Sequence, residues 1–149
     1  MAHTFKGGIH PNDMKAATCG KAIEQLPAPA RVVMPMSMHI GAPCSPIVNV
    51  GDHVYLGQKI AEAQAPVSSP VHASVSGTVV EIAPKPHSYG SDILSIVIEN
   101  DFKDEVDPSI KPLDIDSMTS EEIVAAVREA GIVGHGGATF PTSVKISSG

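Results

Sequence analysis

The 149-residue chain has no tryptophan, and three phenylalanines with two tyrosines hold its aromatic content at 3%. A core without large rings has to be filled by Val, Ile, Ala and Met, which a hydrophobic content of 42% supplies. Cysteine is equally scarce. Cys19 and Cys44 are too few for a disulfide scaffold. No C-x-x-C string occurs, so these residues hold no iron–sulfur cluster by the usual spacing. No apolar run approaches membrane-spanning length, and Met1-Ala2-His3-Thr4-Phe5-Lys6 lacks the apolar stretch of a secretory signal. A soluble, cytoplasmic location without a direct membrane span is the expectation. Lys and Arg total 10 against 16 Asp and Glu, with no basic stripe, which argues against a nucleic-acid partner.

What the chain does have is punctuation. Thirteen Gly and thirteen Pro argue against a helical bundle and for short strands joined by defined turns. A chain of this length buries roughly 70% of the surface it would expose unfolded, enough for an ordinary core. Four stretches differ in character. Residues 1–31 form a Gly/Pro-punctuated N-terminal strap containing Gly7-Gly8-Ile9-His10-Pro11. Residues 32–99 carry β-patterned runs at 32–36, 47–50, 54–63, 71–75, 77–82 and 93–98, a small mainly β sandwich or barrel. The nearly unbroken apolar run 93–98 predicts a strand buried on both faces. Residues 100–118 are an acidic linker, with Asp101, Asp104, Glu105, Asp107, Asp114 and Asp116 against Lys103 and Lys111. A solvated spacer is its plainest role, and docking of a basic partner the sharper one.

Residues 119–149 read as a helix and a glycine-rich loop. Thr119 followed by Glu122 is a capping box, with Met118 and Ile123 placed for a hydrophobic staple. Ile123, Val124, Val127 and Ala130 share one face, and Gly131 fits the left-handed position past the helix end. Then comes Gly134-His135-Gly136-Gly137-Ala138-Thr139-Phe140-Pro141-Thr142. The glycines at 134, 136 and 137 allow positive φ and close approach to a ligand, and bare N–H groups in series make an anion nest. Phe140 offers a face to a flat ring. Lys145 is spaced to meet a phosphate if a helix starts near Thr142. A plain flexible loop remains the alternative on spacing alone.

Longer strings carry a resemblance. Val50-Gly51-Asp52-x-Val54-x-x-Gly57-Gln58-x-Ile60 and Val71-x-Ala73-x-Val75-x-Gly77-x-Val79 resemble the biotinyl/lipoyl-like sandwich, or barrel-sandwich hybrid. The modified lysine of a true carrier sits on a hairpin tip between these halves. Here residues 62–70 contain no lysine, so a swinging-arm role is not expected. Gly-x-Gly-Gly-Ala-x-Phe-Pro-Thr after Ala130-Gly131-Ile132-Val133 resembles the flavin- and NADH-binding loop of the complex I flavoprotein subunit. Three more strings extend the likeness over nearly the whole chain: Gly7-Gly8-Ile9-His10-Pro11, His39-Ile40-Gly41-Ala42-Pro43-Cys44 and residues 71–79. Together they are similar to the RnfC subunits of the Rnf ion-translocating electron transport complex.

That resemblance implies the N-terminal portion of a peripheral subunit on the inner face of the cell membrane, partnered by other Rnf-type subunits. The full-length protein would pass electrons between NADH and ferredoxin through FMN, with 4Fe-4S clusters beyond residue 149, coupled to ion translocation. Gly134, Gly136, Gly137, Ala138, Phe140 and Thr142 would line the flavin and nucleotide, with Lys145 near phosphate. The opening of an α/β flavin-binding domain would then lie in 119–149, and residues 1–149 alone would be inactive. Two positions depart from the complex I pattern, which has Arg where this chain has His135 and Gly where it has Thr139. The alternative is a non-catalytic docking module of a redox complex with a degenerate cofactor loop.

Other residues admit two roles each. His39, Cys44 and His72, with His10, would make a zinc-type donor set if gathered, but the spacing is not diagnostic, and packing and turn roles are the plainer expectation. Met34, Met36 and Met38 alternate along a strand, which puts all three on one core or contact face. No catalytic or metal residue is assigned.

Overall fold

The structure, a computed structural model, describes residue 7 and residues 11–147. It contains seven strands: β1 (Arg31–Pro35), β2 (Cys44–Pro46), β3 (His53–Val54), β4 (Lys59–Ala63), β5 (Val71–His72), β6 (Gly77–Pro86) and β7 (Asp92–Asn100). Two helices follow, α1 (Ser120–Glu129) and α2 (Thr142–Ser147). One sheet runs β1-β7-β6-β3 and the other β2-β4-β5, with every pairing antiparallel. The barrel-sandwich hybrid is therefore present.

Between the sheets lies an aliphatic core that includes Met36, Val54, Ile60, Val79, Ile96 and Ile98, each at most 1% exposed. Without rings, it is β-branched residues and methionine that close the space. In β7, residues 95–98 are buried in succession, as expected for a strand covered on both faces. Met34 and Met36 enter the core, but Met38 lies past the end of β1 at 40% exposure. The alternating pattern outruns the strand.

Other differences from the sequence reading have local causes. The apolar run 47–50 is not a strand. The Asn49 N–H donates to the Asp52 carboxylate at 2.7 Å and the Asp52 N–H to the Asn49 carbonyl at 3.1 Å, so a turn consumes it. Pairing with β4 falls three residues earlier, at Cys44–Pro46. The expected strand 54–63 is interrupted by a second turn, in which Gln58 bonds Tyr55 through backbone and side chain. Residues 71–75 ladder only at Val71–His72, because Ala73 exchanges backbone bonds with Gly57 and Gln58 of that turn.

Residues 11–30 are exposed throughout and join the sandwich at their end, where Asn100 bonds the Pro29 and Ala30 carbonyls. Of the Gly7-to-Pro11 string, residues 8–10 lie outside the described residues.

The acidic stretch is more than a spacer in its first half. Leu56 exchanges backbone bonds with Glu105 and Asp107, which lays residues 105–107 beside the turn after β3. The Asp101 carboxylate accepts from Ser76 Oγ at 2.6 Å, from the Lys103 N–H at 3.0 Å and from His53 Nε2 at 3.3 Å. Led by the Ser76 bond, these donors hold its carboxyl down from the ordinary 3.8 to about 2. A depressed carboxylate contributes stability that is complete above its unfolded value and lost as pH falls through its folded one. The urea midpoint should therefore drop between about pH 4 and pH 2 by more in the wild type than in Asp101→Asn. Equal slopes would contradict the assignment.

Candidate functional site: the loop 134–142 and its supports

Helix α1 opens as its sequence predicts. The Glu122 N–H donates to Thr119 Oγ1 at 3.3 Å and the Thr119 N–H to Glu122 Oε2 at 2.8 Å, completing the capping box. It closes on Gly131 (φ 69°), with Gly131 N–H to the Arg128 carbonyl and Ile132 N–H to the Val127 carbonyl, a Schellman motif. Gly131 also sits hard against the sandwich: a β-carbon there would come within 2.7 Å of the Pro70 carbonyl oxygen and 2.8 Å of His72 Nδ1.

Two further ties fasten α1. The Arg128 guanidinium donates to the Ala65 carbonyl at 3.0 Å and the Pro66 carbonyl at 3.2 Å. Lys59 Nζ bridges Glu129 at 2.7 Å and Glu62 at 2.8 Å. Those two bonds raise the Lys59 pKa, and the bond to Lys59 lowers that of Glu62. Residues 62–70, where a carrier protein would present its lysine, instead receive a helix. His72 is half-buried against the helix end, and burial, then the Lys59 charge, lowers its pKa. The apolar face of α1 is less covered than its sequence suggests. Ile123, Val124 and Val127 remain half-exposed, and Leu113, Ile115, Met118 and Ile132 help line an apolar groove of about 180 Å³.

Beyond α1 the chain folds back on itself. Val133 pairs with Pro141, the Gly134 N–H donates to the Phe140 carbonyl at 2.9 Å, and the Thr142 N–H donates to the Ile132 carbonyl at 3.0 Å. Thr139 N–H to the Gly136 carbonyl, 3.0 Å, closes the tip. Helix α2 starts at Thr142, the position the Lys145 spacing requires. Phe140 and Thr142 are half-buried, Gly136, Gly137 and Ala138 exposed, and Lys145 Nζ lies 5.8 Å from the Phe140 ring centroid.

The expectation of positive φ at the glycines is corrected. Among the described residues of the loop the left-handed backbone falls at Thr139 (φ 47°), not at Gly134, Gly136 or Gly137. The β-branched side chain therefore occupies the strained position, where the complex I pattern has glycine. Gly136 and Gly137 provide clearance instead, since a β-carbon on either meets nothing within 4 Å. Restoring glycine should relieve the strain: Thr139→Gly is expected to gain up to about 1 kcal/mol locally, the left-handed cost less the added chain entropy. Slower hydrogen exchange of the residue 139 amide would show it, and faster exchange would contradict it.

The other support of the loop comes from His39-Ile40-Gly41-Ala42-Pro43-Cys44. The Ile40 N–H donates to the Ala138 carbonyl at 3.0 Å. His39, 5% exposed, accepts the Ser69 N–H on Nε2 at 3.0 Å, which leaves Nδ1–H to donate to the Ile40 carbonyl at 3.1 Å. Cys44 donates its thiol to the Ser69 carbonyl at 3.0 Å, and burial raises its pKa. Gly41 (φ 112°) passes so close to Val67 that a β-carbon would lie 2.2 Å from the Val67 carbonyl oxygen. His39 and Cys44 thus meet, Nε2 to Sγ 3.9 Å, as packing partners. His72 serves α1 instead, and His10 lies outside the described residues. Among the described residues no group of three or more His, Cys, Asp or Glu is placed to hold a metal ion.

A shallow depression of about 270 Å³ opens over Val133, Gly134, His135, Gly136 and Thr139. Cofactor pockets usually enclose about 300–1,000 Å³, so this is one wall of a site.

The RnfC barrel sandwich hybrid domain matches residues 3–103. The chain belongs to the RnfC family. It is 51% identical over 145 residues to the RnfC-type component of the Na(+)-translocating ferredoxin:NAD(+) oxidoreductase complex of Acetobacterium woodii, covering 97% of this chain and 33% of that protein. It is 46% identical over 148 residues to its counterpart in the proton-translocating ferredoxin:NAD(+) oxidoreductase complex of Clostridium ljungdahlii, covering 99% and 32%. Identity to the counterpart in the ion-translocating oxidoreductase complex of Rhodobacter capsulatus is 42% over 149 residues, covering 99% and 29%. The chain thus spans about a third of the length of these curated relatives. Among the described residues no helix is long and apolar enough to cross a membrane.

Three residues that organise the loop give little signal of it in the RnfC sequence. Ile40 reaches the loop through a backbone N–H, which no side-chain pattern reveals. Arg128 stands in the last helical turn, where a basic side chain suits carbonyl binding, but its partners are far away in sequence. Thr139 is visible only as a departure from a pattern.

Proposed function

We propose that the chain is the N-terminal portion of an RnfC-type subunit that passes electrons between NADH and ferredoxin through FMN, and that residues 134–142 form the first wall of its flavin site. The observation that carries this reading is the loop itself, exposed and unobstructed at Gly136 and Gly137 and fastened to the sandwich at Ala138. The residues fit a flavin in kind. Gly134, Gly136, Gly137 and Ala138 offer backbone without bulk, Phe140 a ring face, and Thr142 begins the helix that carries Lys145 toward a phosphate. Bound FMN would supply the exchange between two-electron and one-electron transfer. Remaining walls and iron–sulfur clusters belong to residues after 149, and the subunit works peripherally on the cytoplasmic face of the membrane beside other Rnf subunits. Purified with FMN, the longer subunit should show flavin absorbance that NADH bleaches. No flavin absorbance and no NADH-driven reduction would sink the reading. Residues 1–149 alone should be inactive and bind FMN too weakly for calorimetry, and micromolar affinity would refute that.

A second reading is docking, favoured by the strap. Residues 11–30 are exposed throughout, with Ile23 at 102% and Leu26 at 87%, which suits an arm that packs on a neighbouring subunit.

A further inference from the structure

We propose that His39 is a positioning residue for the loop 134–142, acting through the Ile40 peptide, an inference that rests on the flavin reading of that loop. Three bonds in series make the connection. The Ser69 N–H holds His39 Nε2 at 3.0 Å, His39 Nδ1–H holds the Ile40 carbonyl at 3.1 Å, and the Ile40 N–H holds the Ala138 carbonyl at 3.0 Å.

The first anchor is rigid. Ser69 is 1% exposed, its carbonyl is also held by the Cys44 thiol, and Ser68 Oγ donates to the Ala42 carbonyl at 2.9 Å. The Ser69 hydroxyl finds no partner, so this cluster grips backbone and not the serine side chain. Ala42 N–H to the Val67 carbonyl, 3.1 Å, fixes the far end of the same segment. Ile40 itself is 52% exposed and has little packing to hold it. Its orientation is therefore set by the imidazole on its carbonyl and by the glycine that follows.

The other end of the series is the part of the loop that needs support. Ala138 lies between Gly137, which is exposed, and Thr139, whose backbone is in the strained left-handed region. A strained conformation persists only where its surroundings over-determine it. The Ile40 bond is the sandwich's contribution to that, and it fixes the height of the loop tip relative to the β-core. A cofactor wall displaced by as little as about 1 Å loses much of its effect, so this bond matters to the site although His39 touches no ligand.

Amide hydrogen exchange tests the coupling without flavin. In His39→Ala the Ile40 amide should lose about tenfold or more of its protection while the core amides of Ile96 and Ile98 keep theirs. His39→Asn, which retains a donor for the Ile40 carbonyl, should recover most of it. Unchanged Ile40 protection, or a loss in step with Ile96 and Ile98, overturns the proposal. Should His39→Ala fail to fold, Ile40→Pro removes the loop-facing donor at an exposed position. The Thr139 amide should then exchange about tenfold faster, and an unchanged rate is equally contrary. In the longer subunit both variants should weaken FMN binding about tenfold relative to wild type. Wild-type subunit without FMN affinity overturns the flavin reading, and the exchange data then decide the mechanical coupling by themselves.

Discussion

Gly41→Ala is expected to destabilise the sandwich by about 3–5 kcal/mol, at the top of the range for single substitutions. Two costs combine. At φ 112° a side chain is strained whatever space surrounds it. The new methyl would also lie 2.2 Å from the Val67 carbonyl oxygen and 3.0 Å from its carbonyl carbon, which are backbone atoms without a rotamer to escape into. Residues 38–42 would have to leave Val67, breaking the Ala42 bond and pulling on Ile40. A fall in urea midpoint at unchanged slope is the expected observation. A change below about 1 kcal/mol would show that the 39–44 string is not seated as described.

Gly131→Ala should cost about 2–4 kcal/mol, but locally, as undocking of α1 from the sandwich. The left-handed Gly131 closes the helix, and its bare α-carbon lets the turn sit on Pro70 and His72. With a methyl present, either the Schellman turn or that contact has to open. Amides at the end of α1 and through 132–142 should then exchange faster while Ile96 and Ile98 are unaffected. Uniform loss across both regions, or none, would contradict a docked helix. Protonation of His72 acts in the same direction. Its lowered pKa means that docking is strongest above the ordinary histidine value and weakens as pH falls through the folded one.

Much of the fold is legible in the sequence because it is local. Thr119 and Glu122 declare a helix start, Gly131 and Ile132 declare its end, and the apolar run in β7 declares a strand covered on both sides. The Gly51-Asp52 pair announces its turn, though not that the turn absorbs residues 47–50. What sequence does not show is long-range. Arg128 finds carbonyls 62 and 63 residues away, and Ile40 finds Ala138, each through backbone atoms that every residue carries. The candidate site divides the same way. Its glycines stand out by spacing, whereas the left-handed position at Thr139 comes from how the loop closes between Gly136 and Phe140.

Fastening explains why sandwich and loop travel together in the relatives, each of which matches nearly all of this chain. A carrier sandwich uses its hairpin tip as a mobile arm. In this chain the corresponding carbonyls, at Ala65 and Pro66, are occupied by Arg128, and a second strap beside them holds the loop. The sandwich has become a base plate.

The decisive measurement is a structure of the longer subunit with FMN bound. The account predicts flavin in contact with residues 134–142, with Gly136 and Gly137 against it and Ile40 still bonded to Ala138. A flavin bound elsewhere, with no contact to that loop, would contradict it.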